Sequence, residues 1–155
     1  MAIKKVKEYF QQFGREQDVL EFECSSATVE LASKALNVAP ARIAKTISFK
    51  YEDSCILVVV AGDARIDNAK FRAEFNMKAK MLPYGEVSEF VGHDVGGVCP
   101  FAIHDGINVY LDISLKRFDT VFPACGSDNS AIELTCTELF EYARAKAWVD
   151  VCKAW

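Results

Sequence analysis

Apolar residues recur at helical spacing at the start of the chain. Ile3, Val6, Tyr9, Phe10 and Phe13 share one face, and Gly14 stops the run. Residues 19–24 alternate between apolar and polar and predict a strand with one wet face. Ser25 and Ser26 offer caps for a helix through Val29, Leu31, Ala32, Ala35 and Leu36. Pro40 suits the first position of a short helix over 41–44. Residues 46–51 and 55–61 then flank a polar turn, which is a hairpin signal. The second of these runs is apolar enough to be central in its sheet. Asp67 caps a predicted helix through Phe71 and Phe75; a short strand is expected at 78–82 and a short helix at 85–91.

Further along, 101–103 and 108–112 surround Asp105 and Gly106, the signature of a second hairpin. Strands are predicted at 120–122, 130–134 and 148–151. Thr135 and Glu138 form a capping box that opens a helix through Leu139, Phe140 and Ala143. Helices and hairpins mix without regular βαβ alternation, so the pattern predicts an α+β fold with a mixed, curled, partly barrel-like sheet and surrounding helices. The length of 155 residues fits one domain over 1–155, with no repeat or linker inside it.

The loop between residues 93 and 102 changes the picture. His93, Gly96, Gly97, Cys99 and Pro100 fall together there. Adjacent glycines open backbone conformations closed to other residues, and Pro100 pushes Cys99 toward an extended form. Such a loop can aim several N–H groups at one oxyanion or phosphate. A plain Gly-Gly turn entering a strand accounts for the same residues.

Composition narrows the function. A formal net charge of −4 leaves no global basic footprint for nucleic acid and argues against tight duplex DNA binding. A short single-stranded RNA end remains compatible, because a small basic cluster suffices to hold one. Lys70, Arg72, Lys78 and Lys80 form such a cluster, either as a solvated face or as a phosphate contact. The six cysteines form no CxxC pair and no zinc spacing, so neither metal nor cofactor is expected. Reduced thiols in a cytoplasm are the simplest account of them. No run approaches the roughly 18 apolar residues of a membrane span.

Lys45 stands where a short helix gives way to a strand, among Ile43, Ala44 and Ile47, so its stem can pack while its ammonium is aimed. Cys99 beside His93 or His104 invites a thiol-hydrolase reading, against that of a small half-buried turn residue. Asp63, Asp67 and Asp112 read as caps or solvated groups.

Several segments, in order, resemble the YbaK family of aminoacyl-tRNA deacylases, which includes the editing insertion of bacterial prolyl-tRNA synthetase. The segments are 41–46 around Lys45, 57–63 ending in Gly62 and Asp63, the loop 92–101 with its GxxxP from Gly96 to Pro100, 109–112, 122–127 and 148–151. The resemblance implies a trans-acting hydrolase of the ester on mischarged tRNA(Pro), carrying cysteine or alanine. It makes Lys45 the key side chain and Gly97 its catalytic partner in the loop. Thr46, Gly96, Val98, Cys99, Pro100, Asp112, Gly126 and Ser127 become substrate-binding positions. The implied partners are the acceptor end of aminoacyl-tRNA and prolyl-tRNA synthetase. A non-catalytic module that binds tRNA or a synthetase is the alternative. Ala102 and Val91 depart from the family's pattern and leave the amino-acid specificity open.

Overall fold

The computed structural model describes residues 2–94 and 96–155; Met1 and Val95, the latter inside the glycine loop, lie outside the described residues. Helix α1 (Ala2–Gln11) leads to the two-residue strand β1 (Leu20–Glu21), helix α2 (Val29–Leu36), and the hairpin β2 (Ile43–Tyr51) and β3 (Ser54–Ala61). Strand β4 (Arg65–Ile66), helices α3 (Asn68–Phe75) and α4 (Tyr84–Val91), and strands β5 (Asn108–Asp112) and β6 (Thr120–Pro123) follow. The chain continues through β7 (Ser130–Ala131), β8 (Leu134–Thr135), α5 (Cys136–Tyr142), β9 (Ala147–Val149) and β10 (Cys152–Lys153).

The main sheet has the order β8-β6-β2-β3-β5-β9 and curls into a half-barrel, so the fold is α+β as the hydrophobic pattern predicts. Its centre is β3, where every residue from Cys55 to Ala61 is buried. Each fully buried Val or Leu there contributes on the order of 2 kcal/mol. Strand β2 is antiparallel to β3, while β5 joins β3 in parallel and β9 joins β5 in parallel. Helix α1 lays Val6 and Phe10 on this core, with Phe10 4.8 Å from Phe101 between ring centroids and Phe13 stacked on Tyr142 at 4.3 Å.

Several caps and turns follow from local chemistry. Asp67 accepts from the Ala69 and Lys70 amides at the start of α3. Thr135 and Glu138 complete their capping box. Pro40 opens a 3-10 turn that ends at Arg42, because the next residue already belongs to β2, so the helix expected over 41–44 is not formed.

Other expectations need correction where a distant partner decides. The strand over 19–24 shrinks to two exposed residues, because β7 offers only Ser130 and Ala131 to pair with them. Helix α2 is capped by Thr28 rather than Ser25 or Ser26; the Ser26 amide donates to the Asp128 carbonyl instead. The 78–82 stretch makes a single bridge, Phe49 to Met81. The run 130–134 splits into β7 and β8, which pair with different strands. Residues 148–151 divide likewise between β9 and the turn before β10. The Asp105-Gly106 turn exists, yet 101–103 is no strand, because β5 pairs in parallel with β3 and not with the segment just before it.

Candidate functional site

The sheet has a notch in the edge of β2. Lys50 N–H donates to Lys80 and Ser48 C=O accepts from Leu82, so the even-numbered residues of β2 turn their main-chain groups to that edge. The rungs to β6 end with Ala44 opposite Pro123. Between Ala44 and Ser48, only Thr46 faces the edge without a strand neighbour. A cavity of about 260 Å³ opens there and wraps the edge. Val29, Ala32, Ile43 and Phe122 pack together in its lining, and Gly96, Val98, Ala124, Ser130 and Ala131 also line it.

Lys45 and Thr46 are both at this cavity, and as strand neighbours their side chains leave opposite faces of β2. The Lys45 ammonium makes no ion pair or hydrogen bond among the described residues. Burial holds it below the ordinary lysine range; Arg65 pushes the same way, while Cys152, Asp63 and Glu30 oppose it. Thr46 Oγ1 is buried and has no hydrogen-bond partner, and the same is true of Ser26 Oγ across the cavity. Two orphaned hydroxyls in one apolar cavity are costly unless a ligand meets them.

The five residues of the GxxxP loop divide. Gly96, at φ +95°, and Val98 line the cavity. Gly97 does not: its N–H donates to Asp94 O at 3.0 Å. A Cβ on Gly97 would stand 2.7 Å from Ser127 N, so this glycine exists for backbone-to-backbone packing. Its amide is engaged by the Asp94 carbonyl rather than turned into the cavity.

Cys99 is fully buried, its Sγ is 3.4 Å from His93 Nε2, and burial pushes the thiol up to about 12. His93 Nε2 donates to the Phe101 carbonyl at 2.7 Å, and burial lowers the ring's pKa. His93 and Cys99 are thus in contact but buried, and neither lines the cavity, so the pair is closed off from a substrate there. Pro100 lines a separate, polar cavity beside Tyr9 and His104.

Three more expected binding positions are also structural. Asp112 is fully buried and accepts from Ser114 N and Val151 N at 2.9 Å each, joining β5 to the chain before β10. Gly126, at φ +90°, has no room for a Cβ against Val6 Cγ2, 2.9 Å away. Ser127 Oγ donates within its own turn, to Ser130 Oγ at 2.7 Å, and lines a different hollow near α1.

The basic cluster of Lys70, Arg72, Lys78 and Lys80 does not line the cavity, and Lys70 is paired with Asp150 at 3.1 Å. Ser26, Ser48, Tyr84 and Val87 do line it and were not expected as site residues; Ser26 was read only as a helix cap. Ser48 carried a usable signal, since it falls two residues beyond Thr46 on the same strand face. No group of three or more His, Cys, Asp or Glu able to hold a metal ion occurs among the described residues. No helix among them is long and apolar enough to cross a membrane.

Comparison with known proteins adds independent information. The family described as the aminoacyl-tRNA editing domain matches residues 24–142. The chain is 58% identical over 156 residues to the uncharacterized protein YwhH of Bacillus subtilis (strain 168), covering 100% of this chain and 99% of that one. It is 29% identical over 90 residues to the proline–tRNA ligase of the same organism, covering 57% of this chain but 16% of the ligase. Among solved structures, a candidate trans-editing enzyme for prolyl tRNA synthetase superposes with a TM-score of 0.88 at 25% identity, covering 98% of this chain and 97% of that one.

Proposed function

Since the chain belongs to the aminoacyl-tRNA editing domain family, we propose that it is a trans-acting deacylase, acting as one 155-residue domain. It would hydrolyse the ester of tRNA(Pro) mischarged with cysteine or alanine. The observation that carries this reading is that Lys45, half-buried and without an ion pair among the described residues, lines an apolar cavity notched into β2.

An aminoacyl ester is already activated, so positioning and charge stabilisation suffice for catalysis. The amino acid enters the notch, and its small side chain meets Val29, Ala32, Ile43 and Phe122. Thr46 Oγ1 and Ser26 Oγ hydrogen-bond its polar atoms and so gain the partners they lack. Water adds to the carbonyl carbon, the carbon–oxygen bond to the ribose breaks, and a proton passes to the departing ribose oxygen. Lys45 stabilises the negative charge that develops on the carbonyl oxygen, more strongly in a half-buried site than in water. Gly96 and Val98 line the same cavity.

Release of amino acid from tRNA(Pro) charged separately with alanine, cysteine and proline tests the reading. Wild type should release cysteine or alanine and spare proline. Lys45→Ala should lose about 100-fold or more in rate, on the scale of a lost oxyanion donor. Full activity of Lys45→Ala, or no release from any of the three by folded wild type, would refute the proposal.

A further inference from the structure

The small two-stranded sheet of β4 and β10 carries cations without ion pairs among the described residues. Strands β4 and β10 pair in antiparallel register, and Lys153 falls directly opposite Arg65. Like charges directly opposite one another destabilise a ladder. Both residues are exposed, and neither makes an ion pair among the described residues. Of the nearby Asp67 carboxylate, Oδ1 accepts from two amides of α3, and Lys153 acts on its charge without forming an ion pair. In a chain of net charge −4, this is a local cationic edge whose two cations make no ion pair among the described residues.

An aromatic face lies beside it. Trp155 is 44% exposed, and the Arg117 guanidinium stands 5.0 Å from its ring centroid. Arg117 is held in place by two bonds to the Asp63 carboxylate, at 3.0 and 2.5 Å, and by one to Ser114 O at 2.8 Å. A braced guanidinium fixes the indole it touches, which makes Trp155 a platform rather than a loose side chain. Lys45 lies opposite Val60 in the β2–β3 register, and the chain leaves β3 through Asp63 into Arg65, so platform and cations follow the end of the strand beside Lys45.

Exposed phosphate-binding cations next to a braced aromatic surface match single-stranded nucleic acid, where phosphates track basic groups and bases stack on rings. We propose that the rim formed by Arg65, Lys153, Arg117 and Trp155 receives the unpaired 3′ end of transfer RNA, with phosphates on Arg65 and Lys153 and a base on Trp155. This deepens the deacylase reading, because it supplies the chemistry that delivers the ester to Lys45. It also relieves the Arg65–Lys153 repulsion on binding.

The test measures binding of deacylated tRNA and of a six-nucleotide RNA ending in CCA, by anisotropy of labelled RNA at several salt concentrations. Trp155→Ala should weaken binding about tenfold, as loss of one stacking partner does, and Trp155→Phe should restore most of it. The double variant Arg65→Ala, Lys153→Ala should lower the slope of log affinity against log salt by about 1.4, for two phosphates released from a single strand. With mischarged tRNA the same variants should raise KM.

Equal affinity and salt slope across wild type and rim variants would overturn the rim, whatever the turnover. A glutamate-rich peptide bound more tightly than the RNA would overturn it in favour of a protein partner. If wild type binds RNA through the rim yet releases no amino acid, the deacylase proposal fails and the rim stands.

Discussion

Within one short loop, neighbouring residues have opposite duties. Gly96 and Val98 face the cavity, whereas Gly97, Cys99 and Pro100 are turned away from it and buried. The two glycines look interchangeable in the sequence, but they are not so in space. Gly96 owes its identity to a left-handed backbone, while Gly97 owes it to the main chain of residues 126–127 pressed against it. One half of the loop shapes a ligand's surroundings, and the other half anchors that wall to the core.

Substitutions can break this contrast. The largest effect is expected from Gly97→Ala, where a Cβ 2.7 Å from a backbone nitrogen meets atoms that cannot swing aside. Overpacking of this kind costs about 1–3 kcal/mol, and chemical denaturation should show it as a lower midpoint at unchanged slope. At Gly96 an added Cβ would find its nearest neighbour, the Ala27 methyl, at 3.4 Å. Gly96→Ala should therefore cost about 1 kcal/mol, through its backbone angle alone.

Thr46→Val sharpens the contrast from the cavity side. It removes an orphaned hydroxyl at nearly constant shape, so stability should rise by about 1 kcal/mol. Turnover should fall about tenfold if that hydroxyl meets the substrate. A loss of stability together with unchanged turnover would show that Thr46 is an ordinary packing residue. The smallest effect on rate is expected for Cys99→Ser. This thiol is fully buried and does not line the cavity, so kcat and KM should stay within about twofold of wild type, with a stability cost of about 1 kcal/mol.

The parts of the fold legible in the sequence are those whose cause is local. The β2–β3 hairpin, the Asp67 cap and the Thr135–Glu138 box each depend on residues a few positions apart. The misread parts depend on distant partners. Asp105 and Gly106 make a real turn, but nothing near them reveals that β5 will lie parallel to β3. Lys45 and Thr46, expected as site residues, both line the cavity at the notch, where strand register puts them. The packing contacts of Gly97, Asp112, Gly126 and Ser127 were not legible, because each depends on a loop or strand remote in sequence. Asp112 shows this most plainly: an acid expected to bind substrate spends both oxygens on amides of its own chain.

The notch in β2 is one rung long. Thr46 is the single residue there whose main-chain donor and acceptor face outward between the pairings at Ala44 and Ser48. One amino acid carries one such donor–acceptor set, whereas a longer chain continues in both directions and would run into β6 or into the segment beside Leu82. In the proposed deacylase the interruption in the ladder would thus act as a length gauge. It would admit a lone aminoacyl group and stop a longer chain by geometry, before any side chain is read.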